Sequence, residues 1–351
     1  MNKMSKPVLK RSKSVKRSAT IKSKNLVEEK IEKIKLEDYE FLQKLSRVNN
    51  GMLKLCQKIE TGNYYCMKIL KKIEILDTKI VEHLYNEYKI LLIIYHPFIL
   101  QLKGINTKDP KALYFLFELV QGGDLSSLLE RNLKFSEEHA KFYAASLVTV
   151  IDYLHKKNII YRNINPENIF LSSNGYIKLI NFSNAKILKK DYTNTLCGTP
   201  EYSSPEMLNR KGHNKSHDLW SLGIIIYHMI IGHTPFEDSD PLKMQQKILK
   251  GKPNFPKTLS KDAKNLIKHL LIIEPKKRLG NGANGIYEII SSPFFKGFDW
   301  KNLLFQNLAP PYVPLIKGNN DVSNFRKYED NYFENPDILI DKEKDPFYKW
   351  D

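Results

Sequence analysis

The feature that most constrains the fold is a change of hydrophobic pattern after residue 117. Residues 39–117 contain short stretches that predict strands, broken by turns at Asn49-Asn50-Gly51 and Thr61-Gly62-Asn63, with one predicted helix near 81–95. Beyond this region helical spacing dominates, for example at 137–155, 220–231 and 260–271. Strands followed by helices predict an α+β fold of two lobes, a β-rich lobe at 39–117 and a helical lobe at 121–295.

The two ends of the chain differ in composition from its middle. Residues 1–24 hold nine Lys or Arg and no acidic residue, whereas the rest holds 47 basic and 39 acidic residues. More than half of the net charge of +17 therefore lies in this Ser-rich segment, which we expect to be disordered. Helical spacing of apolar residues predicts an amphipathic helix at 25–38. A Pro-rich composition predicts an extended strap at 296–351.

Composition also narrows the cellular setting that we expect. Cys56, Cys66 and Cys197 are an odd number of cysteines, and no secretory segment accompanies them, which favours a reduced location in the cytoplasm or the nucleus. No apolar run is long enough to predict a membrane span. The basic segment at 1–24 suits contact with nucleic acid or an anionic surface.

Two short segments carry the residues from which a function can be inferred. They are Tyr161-Arg162-Asn163-Ile164-Asn165-Pro166-Glu167-Asn168 and Asn181-Phe182-Ser183. Further motifs surround them in a fixed order: Tyr65-Cys66-Met67-Lys68, Glu87, Phe117-Glu118-Leu119-Val120, Thr195-Leu196-Cys197-Gly198-Thr199-Pro200-Glu201-Tyr202, Ser204-Pro205-Glu206 and Asp218-Leu219-Trp220. Their order and spacing resemble the AGC family of serine/threonine protein kinases, with residues most similar to the cAMP-dependent protein kinase group.

The resemblance implies a two-lobed kinase fold over 39–295, an AGC-type tail at 296–351, and a role for individual positions. Asn163 and Asn165 stand where the family has its catalytic Asp and Lys, and Asn168 and Asn181 stand at the metal positions. The residues implied in nucleotide binding are Leu45, Gly51, Leu53, Cys66, Lys68, Glu87, Phe117, Glu118, Val120, Asp124, Phe170 and Phe325.

The resemblance also implies contacts away from the reaction itself. Thr195 matches a phosphorylation site whose phosphate would be held by His83, Arg162 and Lys186. A basic peptide is expected to contact the acidic side chains of Asp124, Glu167 and Glu201. The tail aromatics expected to dock on the small lobe are Phe347 and Trp350. The partners expected for such a chain are a regulatory subunit or an active kinase.

Several substitutions argue against ordinary phosphoryl transfer. The amide of Asn163 can hold a hydroxyl but cannot accept its proton, and losing a general base reduces a rate by roughly 10²–10⁴. Asn181 offers Mg²⁺ a neutral oxygen where the family has a carboxylate. Asn165 removes a positive charge near the transferred phosphate. In the phosphate-binding loop, Ser46 and Val48 replace two glycines.

These observations leave three hypotheses open. The first is a pseudokinase that binds ATP weakly, holds Mg²⁺ weakly or not at all, and acts as a signalling scaffold or allosteric partner. The second is an active or slow ATP-dependent serine/threonine kinase for basic-motif substrates, since Lys68 and Asn168 are retained. The third is a binding module whose main contact is made by residues 1–24.

Overall fold

The computed structural model describes residues 31–48, 51–78, 80–325 and 339–350. The strands of the small lobe are β1 (Glu32–Lys33), β2 (Tyr39–Val48), β3 (Gly51–Lys58), β4 (Tyr64–Lys71), β5 (Leu102–Asn106) and β6 (Ala112–Glu118). They form one sheet in the order β1-β5-β6-β4-β3-β2, antiparallel except for the parallel pair β1 and β5. Helices α1 (Lys72–Asp77) and α2 (Val81–Ile93) follow β4, and α2 packs against β6 through Tyr88 and Phe115.

The large lobe is mainly helical. Its helices are α3 (Leu125–Asn132), α4 (Glu137–Lys156), α5 (Pro205–Leu208), α6 (Ser216–Ile231), α7 (Pro241–Lys250), α8 (Lys261–Leu270), α9 (Tyr287–Ile290) and α10 (Trp300–Leu304). The short strands β7 (Ile159–Ile160), β8 (Ile169–Leu171), β9 (Ile177–Leu179) and β10 (Lys186–Ile187) pair as β7 with β10 and β8 with β9. The predicted α+β fold, with a β-rich small lobe and a helical large lobe, is confirmed.

Local sequence explains where the main helices begin and end. Helix α4 begins after Ser136, whose Oγ accepts a hydrogen bond from the His139 amide at 3.2 Å. Helix α6 is mostly apolar and is buried almost throughout, as expected of a helix in the centre of a lobe. It ends at Gly232, whose φ of +98° is a left-handed conformation that favours glycine. The helices predicted from spacing correspond, with small shifts at their ends, to α2, α4, α6 and α8.

The predicted amphipathic helix at 25–38 is wrong where it can be compared. Beyond residue 30 the chain forms β1, which pairs with β5, and then a short 3₁₀ helix at 36–38. The Ile34 amide donates a hydrogen bond to the Ile105 carbonyl oxygen at 3.0 Å, and the Ile34 side chain is buried. The edge of β5 thus supplies backbone partners and an apolar contact that a short isolated helix would lack. Residues 1–24 and the start of the predicted helix lie outside the described residues.

The segment that follows α10 runs along the large lobe to the connection between the lobes. The Tyr176 hydroxyl donates to the Leu308 carbonyl oxygen at 2.6 Å. Further on, Gln121 Nε2 donates to the Gly318 carbonyl oxygen at 2.8 Å, and Asn324 Nδ2 donates to the Gln121 carbonyl oxygen at 3.1 Å. These contacts bring the end of this segment beside the cleft. Within the residues that the structure describes, no helix is both long and apolar enough to cross a membrane.

Candidate active site

A cleft of about 670 Å³ lies between the lobes and brings most of the predicted nucleotide-binding residues together. Those that line it are Leu45, Leu53, Cys66, Lys68, Glu87, Phe117, Asp124, Phe170 and Phe325. Asn168 and Asn181, at the predicted metal positions, line it as well. Gly51, Glu118 and Val120 are not among its lining residues.

Gly51 and Glu118 have structural contacts that sequence reasoning did not foresee. A Cβ atom on Gly51 would lie 1.9 Å from the Ile69 carbonyl oxygen, so the packing of β3 against β4 alone requires glycine there. The Glu118 carboxylate accepts hydrogen bonds from Lys178 Nζ at 2.8 Å and from the Gln101 amide at 2.9 Å. The side chain of Glu118 therefore ties the connection between the lobes to β9.

A largely buried ion pair lies on the small-lobe side of the cleft. Lys68 on β4 and Glu87 on α2 approach to 2.9 Å between Nζ and Oε1, and both side chains are largely buried. Behind them the rings of Tyr161 and Phe182 pack edge to face at 5.2 Å. The Tyr161 hydroxyl donates a hydrogen bond to the Ile180 carbonyl oxygen. This bond links the segment 161–168 to the segment 181–183.

The apolar part of the cleft is lined by aromatic side chains. The rings of Phe170 on β8 and Phe325 lie 5.9 Å apart between their centroids. Cys66 on β4 lines the same space, and burial raises the pKa of its thiol to about 12, so the thiol stays protonated at neutral pH. Ser46 and Val48 line the outer edge, with Val48 directly opposite Gly51 in the β2–β3 pair.

Four asparagines form a hydrogen-bonded group, here called the amide cluster, which comprises Asn163, Asn165, Asn168 and Asn181. Asn165 Nδ2 donates to Asn163 Oδ1 at 3.0 Å and to Thr199 Oγ1 at 2.9 Å. The Thr199 hydroxyl donates in turn to Asn163 Oδ1 at 3.4 Å. The side-chain oxygen at the position of the family's catalytic carboxylate is therefore occupied by two neutral donors.

The same cluster occupies the predicted metal positions. Asn168 Nδ2 donates to the Asn163 carbonyl oxygen at 2.9 Å, and Asn181 Nδ2 donates to Asn168 Oδ1 at 3.1 Å. Ser183 Oγ then donates to Asn181 Oδ1 at 2.7 Å. Asn181 adopts a left-handed conformation with φ of 57°, which asparagine tolerates better than most residues. Each side-chain oxygen at the two positions thus already accepts a hydrogen bond from a neighbour.

A buried aspartate holds the segment that carries the cluster. Asp218 on α6 accepts hydrogen bonds from the Tyr161 amide at 3.0 Å, the Arg162 amide at 2.8 Å and His155 Nε2 at 2.8 Å. Burial acts to raise the pKa of Asp218, but the hydrogen bond and charge of His155, the charge of His217 and the Tyr161 amide together outweigh it, and the pKa is lowered. The carboxylate therefore stays ionised and fixes the backbone at Arg162, whose φ is 65°.

The residues predicted around a phosphate on Thr195 are only partly brought together. Thr195 is exposed, and Lys186 Nζ on β10 donates to Thr193 Oγ1 at 3.0 Å, two residues before it. Arg162 is buried, and its Nε donates to the Asn184 carbonyl oxygen at 2.7 Å. His83 is an exposed residue of α2 that lines the cleft.

Of the predicted peptide-binding residues, Asp124 has another structural contact. Its carboxylate caps α3, accepting from the Ser127 amide at 2.7 Å and the Ser127 hydroxyl at 2.9 Å, and the residue is buried. Glu167 and Glu201 are exposed, and Glu167 lines the cleft. Desolvation, and then the charges of Glu237 and Glu167, raise the pKa of Glu201, which shows that these carboxylates lie near one another.

The tail aromatics lie against the helix that carries Glu87. Phe347 and Trp350 are buried, and the Trp350 ring stacks on Tyr88 of α2 at 5.5 Å. Trp350 also contacts Tyr85 of α2 at 5.0 Å. Sequence reasoning missed the buried ion pair beside them, between Lys72 and Asp345, and it missed the buried histidines His213 and His217 below the segment of Thr195. No motif marks these residues, because each lies far along the chain from its partner or in a position without a recognised pattern.

Comparison with known proteins gives the fold and site a family. A model of the protein kinase domain matches residues 39–295. The chain belongs to the protein kinase family. Within that family it is similar to cAMP-dependent protein kinase catalytic subunits. It is 40% identical to the catalytic subunit of Arthrobotrys oligospora over 88% of this chain and 59% of the relative, and 39% identical to the catalytic subunit PRKX of Mus musculus over 89% of this chain and 87% of the relative.

Other relatives are longer than this chain. It is 40% identical to the Dictyostelium discoideum catalytic subunit over 84% of this chain but 45% of the relative, so the chain spans about half the length of some curated relatives that it matches. Membership of the family implies use of ATP and Mg²⁺. Among the residues described, no three His, Cys, Asp or Glu side chains come together as metal ligands.

Proposed function

We propose that this chain is a pseudokinase related to cAMP-dependent protein kinase catalytic subunits, with phosphoryl transfer lost or very weak. The observation that carries the proposal is the amide cluster, in which neutral side chains stand at the positions of the base and the metal ligands and satisfy one another. Phosphoryl transfer depends on positioning the reactants and on neutralising the negative charge of the phosphates. Neutral amides contribute little to this neutralisation.

The first support for this proposal is the residue that stands at the position of the general base. Asn163 Oδ1 accepts hydrogen bonds from Asn165 and Thr199, and a neutral amide oxygen does not take a proton at neutral pH. A substrate hydroxyl would have to displace one of these donors merely to bind. Because no carboxylate stands at this position, deprotonation of the hydroxyl would rely on the nucleotide or on water.

The donor set fits Mg²⁺ poorly. Asn168 and Asn181 each offer one neutral oxygen, and each oxygen already accepts a hydrogen bond, from Asn181 and Ser183 respectively. Mg²⁺ is strongly hydrated and is usually held by anionic carboxylates and phosphates. We therefore propose that any Mg²⁺ here is held by the nucleotide phosphates alone and that protein ligation is weak or absent.

Nucleotide binding is proposed to be weakened but not abolished. Lys68 is held by Glu87 at 2.9 Å and retains a cation for phosphate oxygens. Against this, Val48 brings a β-branched side chain to the loop where the family has glycine, and the Phe170 and Phe325 rings line the apolar part of the cleft. ATP is thus the proposed ligand, with low affinity.

A protein that binds partners instead of turning over substrate needs a stable shape. Several contacts stabilise the shape of this chain. The Lys68–Glu87 pair holds α2 against the sheet, and the packing of Trp350 on Tyr88 holds the C-terminal segment against α2. We propose a regulatory subunit or an active kinase as the partner, and a cytoplasmic location with the nucleus as the alternative. The third hypothesis, binding through residues 1–24, concerns a segment outside the described residues.

A second candidate, a slow serine/threonine kinase, is favoured by two specific contacts. The ion pair of Lys68 and Glu87 and the edge-to-face packing of Tyr161 on Phe182 are arranged as expected for a small lobe that is correctly seated on the large one. A cleft of this shape retains part of the positioning contribution to catalysis, even without the carboxylates.

Thermal shift with ATP, with and without Mg²⁺, separates the two candidates when a peptide phosphorylation assay is run on the same preparation. The pseudokinase proposal expects a small shift that does not depend on Mg²⁺ and no incorporation of phosphate above that of a Lys68→Ala control. An Mg²⁺-dependent shift, together with peptide phosphorylation that Lys68→Ala abolishes, would favour the slow kinase and end the pseudokinase proposal.

A further inference from the structure

Two buried side chains below the segment 191–199 carry nitrogen atoms that find no hydrogen-bond partner in the described part of the chain. They are Nη1 of Arg162 and Nε2 of His213, and both residues are more than nine-tenths buried. A buried N–H without an acceptor is unfavourable, because water has been removed and nothing replaces it. Two such groups near one another indicate a place where an anionic acceptor is expected to bind.

The backbone arrangement brings these two groups to Lys186. Thr193 and His213 form an antiparallel bridge, with both amide-to-carbonyl hydrogen bonds at 2.9 Å. Residues directly opposite in such a bridge project their side chains to the same face. Thr193 Oγ1 accepts from Lys186 Nζ at 3.0 Å, so the Lys186 ammonium lies on the face to which His213 projects.

The effect of neighbouring charges on His213 agrees with its lying close to Arg162. Burial first, and then the charges of His217 and Arg162, lower the pKa of His213 to about 4, so the imidazole is neutral at physiological pH and Arg162 lies near it. The nearby carboxylates are already engaged. Glu206 accepts from Arg278 at 2.7 and 2.9 Å, and Asp218 holds the backbone at 161–162 and His155.

The exposed Thr195 is bracketed by residues that touch this group. The side-chain oxygen of Asn194 lies 3.0 Å from where a Cβ on Gly212 would stand, and Gly212 directly precedes His213. On the other side, the charges of Arg162 and Lys186 lower the pKa of the Cys197 thiol against the larger effect of burial, which raises it. The residues flanking Thr195 therefore lie near this group, Asn194 beside the strand position of His213 and Cys197 near the two cations.

We propose that His213 is a direct hydrogen-bond donor to a phosphate on Thr195, together with Arg162 and Lys186. This inference takes Thr195 as the phosphorylation site that the family resemblance predicts, and it does not depend on whether the chain is a pseudokinase. A phosphate presents three strong acceptor oxygens, which match one imidazole nitrogen, one guanidinium nitrogen and one ammonium. Unlike His83, which belongs to the small lobe, His213 would bind the phosphate to the large lobe itself.

The test compares the melting temperature of the full chain with and without phosphothreonine incorporated at position 195 during translation. In the wild type we expect phosphorylation to raise the melting temperature by about 3 °C or more.

The variant His213→Phe should lose at least half of that gain. Its unphosphorylated form should melt no lower than the wild type, since the unpartnered nitrogen has been removed. His213→Gln, which keeps a donor near the Nε2 position, should retain most of the gain. The control His233→Phe, at an exposed histidine of the large lobe, should retain all of it.

The outcomes distinguish the role of His213 from the predicted phosphate site at Thr195. A wild-type gain that His213→Phe retains in full overturns the role of His213 and leaves Thr195 as a phosphorylation site. The absence of any gain in the wild type overturns both the expected phosphate-binding group around Thr195 and the role of His213. If His213→Phe does not fold, the ¹⁵N resonance of Nε2 in the labelled wild type decides: it should move on phosphorylation, and an unchanged resonance contradicts the proposal.

Discussion

The Lys72 ammonium and the Asp345 carboxylate meet at 2.5 Å, and both side chains are almost completely buried. Lys72 Nζ also donates to the Thr107 carbonyl oxygen at 2.8 Å. The other carboxylate oxygen of Asp345 accepts from the Phe347 amide at 2.9 Å. The last described residues of the chain are therefore fixed to the small lobe by a charged contact as well as by aromatic packing.

Removal of one member of this pair should destabilise the protein strongly. In Asp345→Ala the Lys72 ammonium would stay buried without its counter-charge, so we expect the free energy of unfolding to fall by about 3–5 kcal/mol. The double variant Lys72→Met with Asp345→Leu should recover at least half of this loss, because an apolar pair of similar volume removes the buried charge. Urea unfolding monitored by tryptophan fluorescence measures both.

An exposed ion pair supplies the control for this prediction. Glu274 and Lys277 approach to 2.6 Å on the surface of the large lobe, and Glu274→Ala should leave the unfolding curve unchanged. A loss of less than about 1 kcal/mol in Asp345→Ala, the range typical of surface pairs, would contradict the importance given to burial here.

Trp350→Ala should loosen α2 as well as destabilise the fold. The Trp350 ring contacts Tyr85, Tyr88 and Phe347, so truncation leaves a cavity and reduces stability by about 3–5 kcal/mol. Amide hydrogen exchange should accelerate in 81–93 more than in α6. Leu339→Ala, at an exposed residue of the same segment, is the matched control and should change neither. Faster exchange spread evenly over both lobes would argue against a specific contact with α2.

Ordered motifs located the cleft because they fix positions relative to a known framework. Lys68, Glu87, Phe170 and Asn181 lie far apart in sequence, yet all line one cleft. The motifs did not reveal how the asparagines would pair with one another. Their amide groups donate and accept at once, and the choice of partner depends on side-chain orientation that no spacing encodes.

Contacts between residues that are far apart in the sequence could not be predicted for the same reason. Lys72 and Asp345 are 273 residues apart, and neither belongs to a pattern that predicts a buried charge. Asp124 was expected to contact a peptide, and the sequence reasoning did not foresee that its carboxylate also caps α3 at Ser127. In the predicted helix at 25–38, strand pairing outweighed apolar periodicity, because backbone partners at a sheet edge are decided by the tertiary structure.

Stability should fall as the pH is lowered, in a window set by buried histidines. Burial, followed by the charges of His217 and Arg162, lowers the pKa of His213 from 6.5 to about 4, and burial lowers that of His96 to about 3. Below pH 6.5 the unfolded chain binds protons that the folded chain does not. The free energy of unfolding therefore decreases from about pH 6.5 downward, and His213 contributes at most about 3 kcal/mol of the loss, complete near pH 4.

The variant His213→Phe tests the contribution of this one group. It should make the decline between about pH 6.5 and pH 4.5 shallower in urea unfolding experiments, while His96 and His217 maintain part of the slope. Glu206 and Asp218 also face His213 and act in the opposite direction, as their charges favour the protonated imidazole. Identical slopes for the variant and the wild type would show that His213 does not titrate in this window.

Restoring two carboxylates should restore little turnover. In Asn163→Asp with Asn181→Asp, the base and one metal ligand return, so a nucleotide thermal shift should become dependent on Mg²⁺. We nevertheless expect turnover to stay below about 1 s⁻¹, the low end for kinases, because Ser46, Val48 and Asn165 still deprive the phosphates of close backbone contacts and a cation.

Stepwise variants separate these contributions. Adding Ser46→Gly, Val48→Gly and Asn165→Lys to the double variant should raise turnover further, measured by incorporation of labelled phosphate into a basic peptide. Asn307→Asp, an exposed asparagine outside the cleft, controls for the added charge and should leave the nucleotide shift unchanged. Turnover of about 10 s⁻¹ or more in the double variant alone would mean that the phosphate-binding loop is functional, and the amide cluster would then be the sole cause of weak catalysis.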